Sequence, residues 1–205
     1  MNPETKQVKL SDITFDERIY PRKTHDPALV QRYADCLEEI EARSNFMAVA
    51  TDLTLLDGRH RQLAYMKIYE QEPDRPVQVY VYPVETEEEK IKLAIHLNST
   101  HGLQLSEEDK RKNAIDLYSR YHMPLEEIAQ LIAVRTQKVL EWTKSIREEE
   151  ERRLNERIFE MWLACHTQEE IAAAVAKPQQ TVADKLGVLP ESFPGKIPVK
   201  LSRFE

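Results

Sequence analysis

The stretch Leu53–Ala64 constrains the fold of this chain more than any other. Leu53, Leu55 and Leu56 read as a buried strand that stops at Asp57-Gly58. Arg59, His60 and Arg61 then open a segment whose apolar spacing (Leu63, Ala64, Met66, Ile68) predicts a helix. A strand, a tight glycine turn and a helix start together make an anion site. The first N–H groups of a helix lack internal acceptors, and the helix dipole places partial positive charge there. Two arginines at that point supply planar, multi-donor groups suited to phosphate oxygens. The plain alternative is an ordinary strand-to-helix turn with solvated arginines, and the stretch alone does not separate the two.

The flanking sequence supplies more elements. Val8, Leu10 and Ile13 predict a first strand over residues 8–14. Pro21 pushes Tyr20 toward extended geometry, which places Arg22 in a stiffened loop. Asp26-Pro27 combines a capping residue with proline at the first helical position. Leu29, Val30, Tyr33, Ala34, Leu37 and Ile40 then mark one apolar face down to about Glu41. Residues 46–50 predict a strand beside 53–56, and the alternation of Val77, Val79 and Val81 predicts another. Thr86 with Glu89 is a capping box before a helix bearing Ile91, Ala94, Ile95 and Leu97. That helix is expected to end within 98–102, with Gly102 as a left-handed cap. Strands alternating with helices make the first ~100 residues a small mixed domain, α+β or α/β.

From Ser106 onward nothing reads as a strand. Ser106 and Asp109 form a second capping box, before a helix bearing Ile115, Leu117, Tyr118 and Tyr121. An internal repeat follows: Glu126-Glu127-Ile128-Ala129 matches Glu169-Glu170-Ile171-Ala172, and Ile132, Ala133 and Val139 match Val175, Ala176 and Val182. Ile-Ala packs a first helix, a small residue makes the turn, and the later valine packs a second helix across it. That is the plan of a helix-turn-helix. Exposed positions of the first copy are Arg135, Thr136, Gln137, Lys138 and Lys144. Those of the second are Lys177, Gln179, Gln180, Thr181 and Lys185. Such side chains can donate to phosphates and base edges. Two ordinary helical hairpins are the alternative. Between the copies, residues 145–165 read as a charged helix. Its stripe Leu154, Ile158, Met161 and Trp162 is placed to pack on the second copy or on another subunit. From Leu189, three prolines and Gly195 predict an extended tail.

The balance of charge narrows the partners. A formal net charge of −7 over 205 residues argues against a general nucleic-acid coat protein. Any DNA affinity is expected from a dimer, a partner or a nucleotide-induced state. No apolar run approaches the roughly 20 residues of a membrane span and no basic-then-apolar leader is read in the sequence, so a cytoplasmic protein is expected. Cys36 and Cys165 are expected to be buried free thiols. No two of the six histidines stand at metal-ligand spacing with a carboxylate or cysteine. Neither a nucleophile elbow, a Walker loop nor a dinucleotide glycine motif occurs. Asp57 beside His60 reads either as an acid/base pair or, more simply, as a turn and its cap.

Four sets of residues carry a resemblance: the Pro21-Arg22 loop, the box Asp57-Gly-Arg-His-Arg-Gln-Leu-Ala64, Asn98 with His101-Gly102, and Leu105-Ser106 opening a helix before a helix-turn-helix. From about residue 8 to about residue 145 the chain resembles the N-terminal domain of ParB-like chromosome and plasmid partition proteins, a fold shared with sulfiredoxin. The box is the most specific part. The resemblance implies that Gly58, Arg59, His60 and Arg61 hold the phosphates of a nucleoside triphosphate. Arg22 would reach the same pocket, and Asn98 would lie near the phosphates or a magnesium ion. CTP is the favoured nucleotide, with ATP as the alternative. Its hydrolysis, if any, would be slow and CTPase-like. Implied partners are double-stranded DNA, a second copy of the chain in a homodimer, and a partition ATPase. A bacterial, plasmid or phage origin goes with these. The chain also departs from the pattern, with Asp57-Gly58-Arg59-His60-Arg61 where Gly-Glu-Arg-Arg is usual and His101 where an arginine is usual.

The domain plan expected on this basis is a nucleotide-binding domain over 1–104 and a helical DNA-binding domain over 105–147, with its helix-turn-helix at 124–145. A charged helix with a second hairpin (167–187) would fill 148–189, and the tail 190–205. The function expected is nucleotide-gated DNA binding in partition or transcriptional control. An enzyme of this fold, a phosphotransferase or nuclease using Asp57 and His60, is the second expectation. A protein-binding adaptor is the third.

Overall fold

The computed structural model describes residues 2–100 and 104–192, so His101, Gly102 and most of the expected tail lie outside the described residues. The chain forms two compact units, residues 1–143 and 144–205. The first unit contains β1 (Glu4–Lys9), α1 (Pro27–Asp35), α2 (Leu37–Ala42), β2 (Met47–Val49), β3 (Leu55–Asp57), α3 (Arg59–Ile68) and β4 (Pro76–Val81). It continues with α4 (Glu87–Thr100), α5 (Glu107–Tyr121), α6 (Leu125–Leu131) and α7 (Thr136–Trp142).

The sheet order is β1-β4-β2-β3. β2 runs parallel to β4, whereas β1 on β4 and β3 on β2 are antiparallel. A mixed sheet followed by helices alone is an α+β architecture. Strand alternation sends side chains to two cores. Met47, Val49, Leu55, Val77 and Val79 pack with Leu10, Ile13 and Tyr65. Ala48 and Leu56 pack with Ile91, Ala94 and Ile95 of α4, and this core continues without a break into Leu117, Ile128, Ile132 and Val139. The position 104/105 therefore falls inside one apolar core that joins the sheet to α5, α6 and α7. Each fully buried Ile or Leu there contributes about 1.5–3 kcal/mol through loss of water contact.

Both expected capping boxes form, and the structure adds a third at Thr167. Thr86 and Glu89, Ser106 and Asp109, and Thr167 and Glu170 each exchange side-chain bonds with backbone N–H groups. Asp26 likewise accepts from the Ala28 N–H at 2.9 Å, with Pro27 first in α1.

Several boundaries differ from expectation. The first strand is residues 4–9, and residues 10–12 form a 3-10 turn. β1 is an exposed edge strand held by backbone pairing, so its hydropathy carries little signal, whereas Leu10 and Ile13 are buried outside it. The helix expected over 27–41 breaks at Cys36, whose backbone leaves the helical region and whose thiol donates to the Arg32 carbonyl. Leu53 has φ +62 and belongs to the tight turn linking β2 to β3. On α3 only part of the expected apolar face is buried. Met66 and Ile68 are 51% and 50% exposed, while Arg61, Gln62, Ala64 and Tyr65 are buried. The buried polar side chains of α3 are satisfied: Gln62 donates to the Ile13 carbonyl at 3.0 Å.

The second unit is α8 (Lys144–Leu163), α9 (Gln168–Val175) and α10 (Gln179–Ser192). Ile158 and Phe159 of α8 bury against Ile171 and Val182, with Leu154, Met161 and Trp162 around them, so the α8 stripe packs on the second hairpin of the same chain. Residues 189–192, expected as tail, continue α10 through Pro190. One proline removes a single helical bond, and α10 is anchored upstream by buried Val182. Cys165 is exposed and Cys36 only partly buried, so neither is the buried thiol expected. Cys165 ends α8 in the left-handed region, in a turn rather than on an apolar face.

The two hairpins share one turn. Ala133 and Ala176 have φ +52 and +51. The Val134 and Lys177 N–H groups close back on the Ala129 and Ala172 carbonyls at 3.0 and 3.1 Å. The repeat in the sequence is thus a repeat in backbone geometry.

Candidate functional site

Gly58 ends β3 and caps α3 with φ +99, a conformation that glycine reaches without strain. No side chain caps α3, so its first N–H groups keep their hydrogen-bonding capacity. A Cβ at Gly58 would lie 3.0 Å from two guanidinium nitrogens of Arg61 and from Met47 Cγ. The glycine therefore admits the close approach of Arg61 as well as the turn.

An open cleft of about 590 Å3 lies at this point. It brings together Arg22, Asp57, Gly58, Arg59, His60, Arg61 and Asn98, which are far apart in sequence. Every side chain expected at the phosphate site lines this one cleft. Tyr20, Leu29, Tyr33 and Asn45 also line it, and sequence reading did not single them out for a site. Tyr20 adjoins the Pro21-Arg22 loop, and that adjacency was the available signal. Tyr33 looked like an ordinary member of the apolar face of α1, and its ring lies 6.5 Å from that of His60.

The basic residues have different duties. Arg61 is 7% exposed and donates to the carbonyls of Asn45 and Phe46 at 2.8 and 2.9 Å, to the Asn45 side chain, and to Asp57 at 2.8 Å. It ties α3 to the segment leading into β2. Arg59 lies flat over the Phe15 ring at 3.7 Å and donates to Gln62 at 2.6 Å. Burial pushes its pKa down, with Tyr20 and Glu17 opposing. Arg22 donates from Nε to Asn98 Oδ1 at 3.3 Å and from a terminal nitrogen to the Gln104 carbonyl at 3.3 Å. Asn98, 4% exposed, also donates to the carbonyls of Ala94 and Leu56 at 2.9 and 3.3 Å. With both ends of its amide engaged, Asn98 positions Arg22.

His60 Nε2 accepts a hydrogen bond from the Asp26 N–H at 3.0 Å. That bond requires the neutral ring, with its proton on Nδ1. Burial is the first cause that holds the His60 pKa below its ordinary value, followed by the nearby charges of Arg22 and His25. Asp57 meets Arg61 and His60 meets Asp26, and no hydrogen bond joins Asp57 to His60 among the described residues. Among the described residues no group of three or more His, Cys, Asp or Glu is arranged to hold a metal ion.

The loop carrying Arg22 is fastened to α5. Asn113 donates to the Pro21 carbonyl at 2.8 Å, and the Lys23 N–H donates to Asp109 at 2.8 Å. Asp109 also closes the capping box of α5. One carboxylate thus holds both the cleft loop and the start of the helix that leads to α6 and α7.

On α7, Arg135 (its N-cap) and Gln137 are exposed, and Thr136 and Lys138 are partly buried. Lys138 pairs with Glu107 at 2.7 Å. Lys144 is not on this hairpin. α7 ends at Trp142, Thr143 returns its hydroxyl to the Val139 carbonyl, and Lys144 begins α8 in the other unit. In the second hairpin Lys177, Gln179 and Gln180 are exposed and Thr181 is partly buried. Gln180 bonds Asp184, and Lys185 meets Glu151 and Asn155.

No protein-family model matches the chain. No curated protein matches it either. Among solved structures, the chain is similar to the C-terminally truncated chromosome-partitioning protein ParB from Caulobacter crescentus in two complexes. The complex with CTP-gamma-S aligns at 14% identity and a TM-score of 0.39, covering 92% of this chain and 98% of that one. The complex with the centromeric parS site aligns at 14% identity and 0.44, covering 92% and 93%. A Pnob8-like ParB-N domain aligns at 15% identity and 0.39, covering 72% and 52%. Among the described residues no helix is long and apolar enough to cross a membrane.

Proposed function

We propose that this chain binds the phosphate chain of a nucleoside triphosphate in the α3 cleft and transmits that occupancy to DNA contact through α5, α6 and α7. One observation carries the reading. Arg22 faces the same cleft as Arg59, His60 and the start of α3, on a loop whose backbone is hydrogen-bonded to Asn113 and Asp109 of α5. Arg22, Arg59 and the N–H groups of α3 bind phosphate oxygens, and neutral His60 offers Nδ1–H. Gly58 permits the approach. Arg61 and Asn98 position the site through the bonds described above. Magnesium would neutralise part of the phosphate charge when bound, and no side chain of this chain is assigned to it.

CTP is the first nucleotide to test and ATP the second, because the Asp57–Ala64 box resembles the partition-protein pattern. The DNA-contacting side chains are Arg135, Thr136, Gln137 and Lys138, with Lys177, Gln179, Gln180 and Thr181 as a second set. A homodimer would double the basic surface of a chain whose net charge is −7. A role in partition, with a partition ATPase, or in transcriptional control follows from the same binding activity. The engaged state of Asp57 and His60 favours binding over catalysis.

Calorimetry with a panel of nucleoside triphosphates, with and without duplex DNA, tests this reading. Binding of at least one triphosphate that changes DNA affinity supports it, and absence of any nucleotide binding overturns it. DNA affinity should fall steeply with salt, with Arg135→Ala reducing the slope by about one.

A further inference from the structure

Arg59 is a cation with no salt bridge among the described residues, and Glu17, which shares its hollow, acts on it only through space. It is partly buried, stacked on Phe15, and its hydrogen-bond partner among the described residues, Gln62, is neutral. A partly desolvated charge with no directly bonded counter-ion is completed by a ligand anion. Arg59 also stands in a shared wall. A second hollow, of about 1040 Å3 and open to solvent, adjoins the α3 cleft through Tyr20, Arg22 and Arg59, which line both. Lys23, His25 and Lys112 add basic groups to this second hollow, against the single carboxylate of Glu17.

The lysines there have partners that a ligand can replace. Lys23 Nζ meets Glu108, and Lys112 Nζ meets Asp116 at 3.3 Å and the Tyr20 carbonyl at 3.5 Å. The Lys23 pair is open to water and therefore weak, whereas a charge-assisted bond to phosphate is stronger. Phe15 and Tyr20, in edge-to-face contact at 5.3 Å, give the hollow an apolar wall behind the cations.

We propose that the second hollow is a phosphoryl subsite continuous with the α3 cleft, so that the preferred ligand carries a phosphate chain longer than a triphosphate. The proposal rests on the phosphate reading of the α3 cleft. Arg22 and Arg59 bridge the two compartments, and Lys23, Lys112 and His25 take the additional phosphoryl group. The chain can be inorganic or carried by a nucleotide, since the second hollow meets only phosphate.

Four probes test it by calorimetry at one salt concentration: inorganic tripolyphosphate and tetrapolyphosphate, and a nucleoside 5′-triphosphate and 5′-tetraphosphate. In the native chain the longer member of each pair should bind about tenfold tighter, as one further charge-assisted contact implies. In the Lys23→Gln/Lys112→Gln variant that preference should shrink to about twofold or less, with triphosphate binding retained. A preference in both pairs assigns recognition to the chain itself. A preference confined to the nucleotide pair assigns it to a nucleotide tail. Equal binding of short and long chains by the native protein would overturn the subsite while leaving the triphosphate cleft intact. A preference that survives in the double variant would also overturn it. Failure of the native protein to bind any of the four removes the cleft reading as well.

Discussion

The side-chain oxygen of Asn98 on α4 accepts a hydrogen bond from Arg22 Nε at 3.3 Å, which holds a loop arginine over a cleft built by α3. The same asparagine is tied to Leu56, the residue before Asp57. One buried amide therefore sets the distance between the two basic walls of the site. Asn98→Ala should destabilise the chain by about 1–3 kcal/mol, because the buried Leu56 carbonyl loses its side-chain donor and Arg22 loses an acceptor. It should also weaken triphosphate binding while Arg22 and Arg59 remain present. Urea unfolding and calorimetry on the same variant measure both effects, and unchanged affinity would sever Asn98 from the site.

Gly58→Ala tests the turn. At φ +99 a side chain is strained, and the new Cβ would meet Arg61 and Met47 at 3.0 Å. A loss of about 1–3 kcal/mol is expected in thermal or urea unfolding. A variant as stable as the native chain would show that the turn is not built as described.

Ala133 and Ala176 invite the opposite change. Both occupy the left-handed region at exposed helix ends, where glycine is favoured and no buried methyl is lost. Ala133→Gly and Ala176→Gly should each stabilise by about 0.5–1 kcal/mol in urea unfolding. Destabilisation by both would contradict the shared turn geometry.

His60 predicts a pH dependence. Its folded pKa lies below the ordinary value of 6.5, so the unfolded chain binds the extra proton first. The stability it contributes is present above about pH 6.5 and is lost as the pH falls through the folded pKa. The Asp26 N–H bond breaks on protonation, and the capped start of α1 loosens with it. Unfolding free energies measured at about pH 7.5 and about pH 5 should differ more in the native chain than in His60→Gln. An equal difference in the two proteins would remove His60 from that linkage.

The parts readable in the sequence were those set by local chemistry. Capping boxes at Thr86 and Ser106, the alternation in β4, the strand-glycine-helix turn and the paired hairpins all depend on residues a few positions apart. The unreadable parts depended on distant partners. β1 is an edge strand whose exposed polar side chains leave almost no pattern. α3 buries Arg61 and Gln62 because carbonyls of Ile13, Asn45 and Phe46 await them, so Met66 and Ile68, read as part of its apolar face, lie exposed. At the site, Arg22 and Asn98 came from a resemblance. Their hydrogen bond, the saturation of Arg61 and the clamp of Pro21 and Lys23 on α5 required the fold.

The most direct test of the central claim is calorimetric titration of CTP and ATP, with magnesium, into the native chain and into Arg59→Ala. Arg59 is chosen because its interactions are a ring stack and one neutral hydrogen bond, so its removal should leave the fold in place. Loss of one charge-assisted phosphate contact should weaken binding by about tenfold or more, with the unfolding midpoint little changed. A native chain that binds neither nucleotide, or an Arg59→Ala variant that binds as tightly as the native chain, would contradict the assignment of the α3 cleft.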